Sequence, residues 1–296
     1  MRRLSIVFVL GSQILVVPAS HSQAAVSPLF KEEASKQKEI YQSRGEKVPE
    51  GYVIGRSLLS YTFILSSEFR RTLASLGPND RWLDIGAGEG RAILDYSTSK
   101  YDVILPGVAP DGRKAKALAM SIEDRRTVQW HQTAASLEAQ QIQYLFGRRL
   151  REYSLEELGR FELITDVLGG FSYTRYLSVY MEKALGFLTP NGSFHTVLQD
   201  VRSENGANRP HDPNAPFLTE ITNADGSETG ICRWLKSIAC VEVTCELKAD
   251  LSPPAEVYRI RKTCNEVAVP GLTLIHFEAG TPPGRRFRLT SPPAPR

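Results

Sequence analysis

The sequence predicts an α/β fold, a mostly parallel sheet with helices packed on both faces, and three observations predict it. Residues 81–91 read Arg-Trp-Leu-Asp-Ile-Gly-Ala-Gly-Glu-Gly-Arg: an apolar run ending in a carboxylate, a glycine turn, then residues at helical spacing. Strand, glycine turn and helix in that order hold nucleotide-like ligands above the end of a parallel sheet. Further along, apolar runs of strand length alternate with amphipathic stretches, as in parallel strands joined by helical crossovers. Finally, 42% hydrophobic residues in a chain of 296 suffice for one sizeable core.

The amino end opens with Met1-Arg2-Arg3, continues through a mostly apolar run from Leu4 to Val17, and reaches Ser22-Gln23-Ala24. A basic start, an apolar stretch and a small-x-small site predict a secretory signal over 1–24, cleaved before Ala25. The run is too short, and too interrupted by Gly11, Ser12 and Gln13, to suit a membrane span. Lys31 to Arg44 reads as an exposed charged helix. Ser57 to Leu76 places Leu58, Tyr61, Leu65, Phe69 and Leu73 three and four apart, predicting one helix against the sheet.

After Trp82-Leu83-Asp84-Ile85 the turn runs Gly86-Ala87-Gly88-Glu89-Gly90, and residues 91–96 continue as helix. Tyr101 to Val108 reads as a second strand, Asp111 to Met120 as the helix after it, and Thr127 to Trp130 as a third strand. Gln132 to Arg160 reads as one or two inserted helices. Phe161 to Gly170 is a fourth strand ending in Asp166 and two glycines. Tyr176 to Leu188 is an amphipathic helix, and Thr189-Pro190-Asn191-Gly192 turns into a fifth strand, Ser193 to Leu198. Arg202 to Pro216 is a loop, and Cys232 to Leu235 part of a helix. Val241 to Leu247, Val257 to Cys264 and Leu272 to Phe277 are strands expected to finish the sheet. Residues 281–296 form a Pro/Arg-rich tail with no structure expected at its end.

The bare G-x-G-x-G spacing departs from the dinucleotide pattern G-x-G-x-x-G, because Arg91 stands at the third glycine. With Asp84 leading, Leu-Asp-Ile-Gly-Ala-Gly-Glu-Gly resembles the first motif of class I S-adenosylmethionine (SAM)-dependent methyltransferases. Residues 55–200 follow the order of that family. The resemblance implies a Rossmann-like, seven-stranded, mostly parallel sheet, with SAM as cofactor and a small molecule or protein as methyl acceptor. It also implies that Asp84, Gly86, Ala87, Gly88, Glu89, Gly90 and Asp166 line the cofactor. A Tyr61 ring facing the sulfonium would stabilise its charge; core packing is the other role open to it.

One departure stands out. In that family the second strand normally ends in an acid that binds both ribose hydroxyls. Here Gly107-Val108 is followed by Ala109, with Asp111 two residues later. Asp111 is either a ribose ligand or the N-cap of the next helix. Residues 166–169, Asp-Val-Leu-Gly, also lack the Asn/Asp-Pro-Pro-Tyr/Phe tetrad used by one branch of the family on amino nitrogens. Methyl transfer is mostly alignment and desolvation, so no catalytic base is assigned. Asp166, Tyr173 and His195 are candidates, each with a structural role as its rival: turn cap, packing and satisfied strand histidine.

All four cysteines, Cys232, Cys240, Cys245 and Cys264, fall in the last quarter of the chain without C-x-x-C spacing or a nearby histidine pair. That argues against zinc and for at least one disulfide in an exported protein; buried thiols are the alternative. The net charge is +3, and removing Arg2 and Arg3 leaves +1, so no broad field points to nucleic acid. Arg285, Arg286 and Arg288 read as a solvated face. The predicted organisation is a single domain over 25–280, with a SAM-binding core at 55–200 and C-terminal strands at 238–278. Its location is secreted or periplasmic if the signal is used, and otherwise cytoplasmic. Because SAM is an intracellular cofactor, the alternative is a secreted, non-catalytic methyltransferase-like binding protein.

Overall fold

The computed structural model describes residues 55–100, 114–199, 219–248, 255–278 and 283–290. The expected signal segment, the charged stretch 31–44, the strand at 101–108, Ala109, Asp111 and the loop 202–216 lie outside the described residues.

Two short helices, α1 (Leu58–Ile64) and α2 (Ser67–Ser75), stand where one continuous helix is expected. Leu65 and Ser66 between them are extended, so the chain turns and buries Leu58, Tyr61, Leu65, Phe69 and Leu73 from two helix axes. Next come β1 (Arg81–Ile85) and α3 (Arg91–Ser97), as predicted.

The following stretch corrects the sequence reading. Residues Lys116–Met120, expected as helix, form β2, and Val128–Ser136, expected to begin as a strand, form α4. Ile142–Leu145, expected within inserted helices, form β3. Helix propensity favours Lys-Ala-Leu-Ala-Met, but burial of Ala117 through Met120 between two layers decides for strand. Thr127 carried the missed signal: its hydroxyl accepts from Trp130 N at 3.2 Å and caps α4.

A 3₁₀ turn (Leu150–Glu152) and α5 (Leu155–Leu158) lead to β4 (Phe161–Val167), α6 (Gly170–Tyr173), α7 (Leu177–Gly186) and β5 (Leu188–Gln199). Then follow β6 (Thr219–Thr222), β7 (Glu228–Thr229), α8 (Ile231–Lys236), β8 (Val241–Lys248), β9 (Ala255–Lys262), β10 (Leu272–Glu278) and β11 (Gly284–Leu289).

The main sheet has seven strands in the order β3-β2-β1-β4-β5-β9-β8. Strands β1 to β5 pair in parallel and β9 runs antiparallel between β5 and β8. This is the Rossmann-like, mostly parallel architecture that the sequence predicts, with helices on both faces. One face packs on α1 to α4 around Trp82, Phe69 and Leu163. The other packs on α6, α7 and α8 around Phe161, Phe171 and Trp234.

Two C-terminal expectations change. Strand β10 does not finish the main sheet; it belongs to a second sheet ordered β10-β11-β6-β7. Gly284–Leu289, placed by the sequence reading in the Pro/Arg-rich tail, form β11, and Arg285 is buried rather than solvated. A strand with three arginines in six residues shows little apolar alternation, which hides it from the sequence. All four cysteines are bridged, Cys232 to Cys245 and Cys240 to Cys264. The first bridge ties α8 to β8, and the second ties the start of β8 to the end of β9.

Candidate functional site

The order of the main sheet reverses between β1 and β4: β2 and β3 lie on one side of β1, while β5 lies beyond β4. Ligands of open α/β sheets bind outside the carboxyl ends of the strands at such a point. Both adjoining turns are rich in glycine. Gly86, Gly88 and Gly90 have φ of +71°, +55° and +70°. A Cβ on Gly86 would come within 2.6 Å of the Gly169 Cα, and one on Gly90 would enter the Trp130 ring. Only glycine fits at either place, since φ and space both exclude a side chain. Leu168 also has a left-handed φ, +57°, so the turn after β4 holds a strained non-glycine residue.

The glycine turn is pinned to the end of β2, where the Met120 carbonyl accepts from Gly86 N at 2.9 Å and Ala87 N at 3.0 Å. From β3 the Tyr144 hydroxyl donates to the Gly88 carbonyl, and its ring meets Trp130 edge-on at 5.2 Å. The Glu89 carboxylate lies against Gly55.

Asp84 is fully buried beneath this turn. It accepts from the Tyr61 hydroxyl at 3.0 Å to each oxygen and from Thr165 Oγ1 at 2.7 Å. Burial pushes its carboxyl up to about 7, against the opposing pull of those hydrogen bonds. The Tyr61 hydroxyl is thus spent on a carboxylate and its ring is buried in the core. The core-packing role prevails for Tyr61, with a hydrogen bond that sequence reasoning missed.

Asp166 lies on the opposite face of the sheet. Gly169 N donates to it at 2.7 Å, Phe171 N at 2.8 Å, and the Tyr180 hydroxyl also donates. Burial raises its pKa to about 6, while Tyr180, the two amides and Arg285 pull it down. These contacts make Asp166 the organiser of the turn into α6.

Arg285 is the residue that sequence reasoning missed outright. It reaches in from β11 and donates to the Phe171 and Thr174 carbonyls at 2.9 Å each, and to Thr219 Oγ1 at 3.0 Å. No local sequence signal separates it from Arg286 and Arg288; only the pairing of β11 with β6 turns it inward.

His195 is corrected as a candidate base. It is fully buried, meets Phe69 edge-on at 5.8 Å, and among the described residues neither ring nitrogen has a hydrogen-bond partner. Burial, then Arg259, lower its pKa to about 3, so the ring is neutral and sealed from any acceptor. It is not the satisfied strand histidine of the alternative reading either. Tyr173 is half-buried at the end of α6.

No known protein-family model matches the chain, and no curated protein matches it by sequence. Among solved structures it is similar to a geranyl diphosphate methyltransferase in complex with GPP and sinefungin. That match has 15% identity and a TM-score of 0.33, and it covers 45% of this chain and 44% of that one. The N-methyltransferase NodS from Bradyrhizobium japonicum WM9, in complex with S-adenosyl-L-homocysteine (SAH), is 14% identical with a TM-score of 0.41. There the match covers 75% of this chain and 98% of that one. An rRNA methylase from Streptococcus thermophilus is 12% identical over 66% of this chain and 94% of its own, with a TM-score of 0.41.

Proposed function

We propose that the chain is a SAM-dependent methyltransferase acting on a small-molecule or protein acceptor. The observation that carries this reading is the left-handed glycine turn at the carboxyl end of β1, set where the sheet order reverses. Backbone there approaches a ligand without a side chain between, the cradle a nucleoside-bearing cofactor needs. Gly86, Ala87, Gly88, Glu89 and Gly90 are the proposed lining. Asp84 and Asp166 act beneath it, the first holding α1 on the sheet and the second shaping the turn that meets Gly86.

SAM supplies an activated methyl group and needs no covalent help from the protein, so the chain's work is alignment and exclusion of water. Asp84, Asp166 and His195 are all buried. None is assigned as a base, and an acceptor that must lose a proton has to bring its own acidity or use a residue nearer the surface.

Two disulfides suit an oxidising compartment, which supports the export reading. Among the described residues no helix is long and apolar enough to cross a membrane. The second reading, a non-catalytic binding relative, is favoured by one observation: β2 ends in Met120 and is followed by Ser121, so among the described residues no carboxylate stands directly at the end of that strand.

The test is to incubate the disulfide-intact protein with methyl-labelled SAM and fractions of the compartment it occupies in its host. Label moving to a small molecule or protein is the expected result. Saturable SAM binding with no transfer to any fraction gives the case to the second reading.

A further inference from the structure

Resting on the cofactor reading above, we propose that the sugar hydroxyls of the nucleoside are recognised by a pair of neutral side-chain hydroxyls, Tyr144 and Ser121, in place of a carboxylate. Nucleotide-binding α/β folds place an acid near the end of the second strand to bind the ribose. Strand β2 sits beside β1 in register, Asp84 opposite Ala119 and Ile85 opposite Met120. The residue that leaves β2 next to the glycine turn is therefore Ser121, which is buried.

The nearest acids along the chain are exposed, each beside an arginine two residues on. Glu123 pairs with Arg125 at 2.5 Å, and Asp124 holds Arg126 through two contacts, at 2.8 and 2.7 Å. Arg126 in turn lies over the rings of Phe146 and Tyr144, at 5.1 and 5.8 Å from their centroids.

Tyr144 reaches the glycine turn instead. Its hydroxyl donates to the Gly88 carbonyl and lies 3.4 Å from the Glu123 carbonyl. One oxygen thus bridges the glycine turn and the end of β2, the two walls between which the sugar must sit. Burial raises the Tyr144 pKa, so the phenol stays neutral. A hydroxyl that donates to Gly88 keeps lone pairs to accept from a sugar hydroxyl, and Ser121 offers both a donor and acceptors. Neutral pairs are weaker than charge-assisted ones, so the site binds its nucleoside less tightly than a carboxylate would and gains when one is restored.

The experiment titrates the full, disulfide-intact chain with SAH and with its 2′-deoxy analogue, for the wild type, Tyr144→Phe and Ser121→Asp. Phenylalanine keeps the ring against Trp130, and circular dichroism checks the fold of each variant. Tyr144→Phe should weaken SAH about tenfold and the deoxy analogue less than about twofold. Ser121→Asp should tighten SAH about tenfold. Equal losses for both ligands, or no loss for either, would overturn the inference while leaving the cofactor reading intact. SAH affinity unchanged or lowered by Ser121→Asp in a folded protein also counts against it. A wild-type chain that binds neither ligand removes the cofactor reading, and this inference with it.

Discussion

Two buried carboxylates, Asp84 near the end of β1 and Asp166 near the end of β4, occupy mirror-like positions on opposite faces of the same sheet. Each accepts from a tyrosine hydroxyl, Tyr61 on α1 or Tyr180 on α7. Their surroundings differ. Asp84 has Thr165 as its other hydrogen-bond donor, on a face built from four helices. Asp166 takes two backbone amides as well and feels the guanidinium of Arg285. Burial raises both carboxyls, and the opposing pull comes from hydroxyls at Asp84 and from Tyr180, two amides and Arg285 at Asp166. The Asp84 face is held by packing, by hydroxyls and by Asp95, which accepts from the Leu58 amide at 3.1 Å, whereas the Asp166 face is stapled from the C-terminal segment by Arg285 and by the Cys232–Cys245 bridge.

The sharpest way to break that contrast is Arg285→Met. Loss of a buried cation leaves the Phe171 and Thr174 carbonyls without their donor and Asp166 without its positive neighbour, costing about 3–5 kcal/mol. Urea unfolding measures the loss. The pKa of Asp166 should rise while that of Asp84, which feels Asp166 only as one of its smaller influences, should move less, and equal movement of both would deny the contrast between the faces.

Reducing the disulfides comes next. The bridges close loops of 13 and 24 residues, so each should contribute about 2–4 kcal/mol. Hydrogen exchange after reduction should loosen α8 and β8 first and leave α1 and β1 protected. Uniform loosening would contradict the division.

Tyr61→Phe and Tyr180→Phe form a matched pair with a smaller effect. Each removes one hydroxyl from a buried carboxylate, a loss of about 1–3 kcal/mol. Tyr61→Phe should cost more, since Asp84 has fewer remaining donors. The reverse order in denaturant melts would overturn the comparison.

The last contrast is in pH dependence, where the Asp84 face carries opposing contributions. The folded pKa of Asp84 is raised from 3.8 to about 7. Its contribution is therefore fully present below pH 3.8 and lost as pH rises through 7. The folded pKa of His195 is lowered from 6.5 to about 3, so its contribution is present above 6.5 and lost as pH falls towards 3. His195→Leu should flatten the acid limb of stability between pH 6.5 and 3. Asp84→Asn should flatten the loss between pH 4 and 7. A histidine variant with an unchanged acid limb would mean that His195 is not the buried neutral group described.

The two faces also differ in how far the sequence revealed them. The glycine turn, β1, β4 and α7 were legible because glycine at positive φ, a buried apolar run and a 3.6-residue period each leave a local mark. Strands β2 and β3 were not, because Lys-Ala-Leu-Ala-Met and Ile-Gln-Tyr-Leu are too short for period to separate strand from helix; the neighbours decide. Reading Lys116–Met120 as helix centred the search for a ribose ligand on Ala109 and Asp111, twelve and ten residues before Ser121. Arg285 and β11 were hidden for a different reason: their burial depends on a sheet assembled from segments as distant as Thr219 and Leu272.

The central claim is that the glycine turn at the β1/β4 reversal holds a nucleoside-bearing cofactor. Isothermal titration of the disulfide-intact chain with SAH tests it most directly, alongside Gly88→Val, which places a branched side chain where φ is +55° in the turn. Saturable binding with one site per chain, lost in Gly88→Val without loss of the fold, is the predicted result. No heat of binding to the folded wild-type protein, or equal binding by the valine variant, would contradict it.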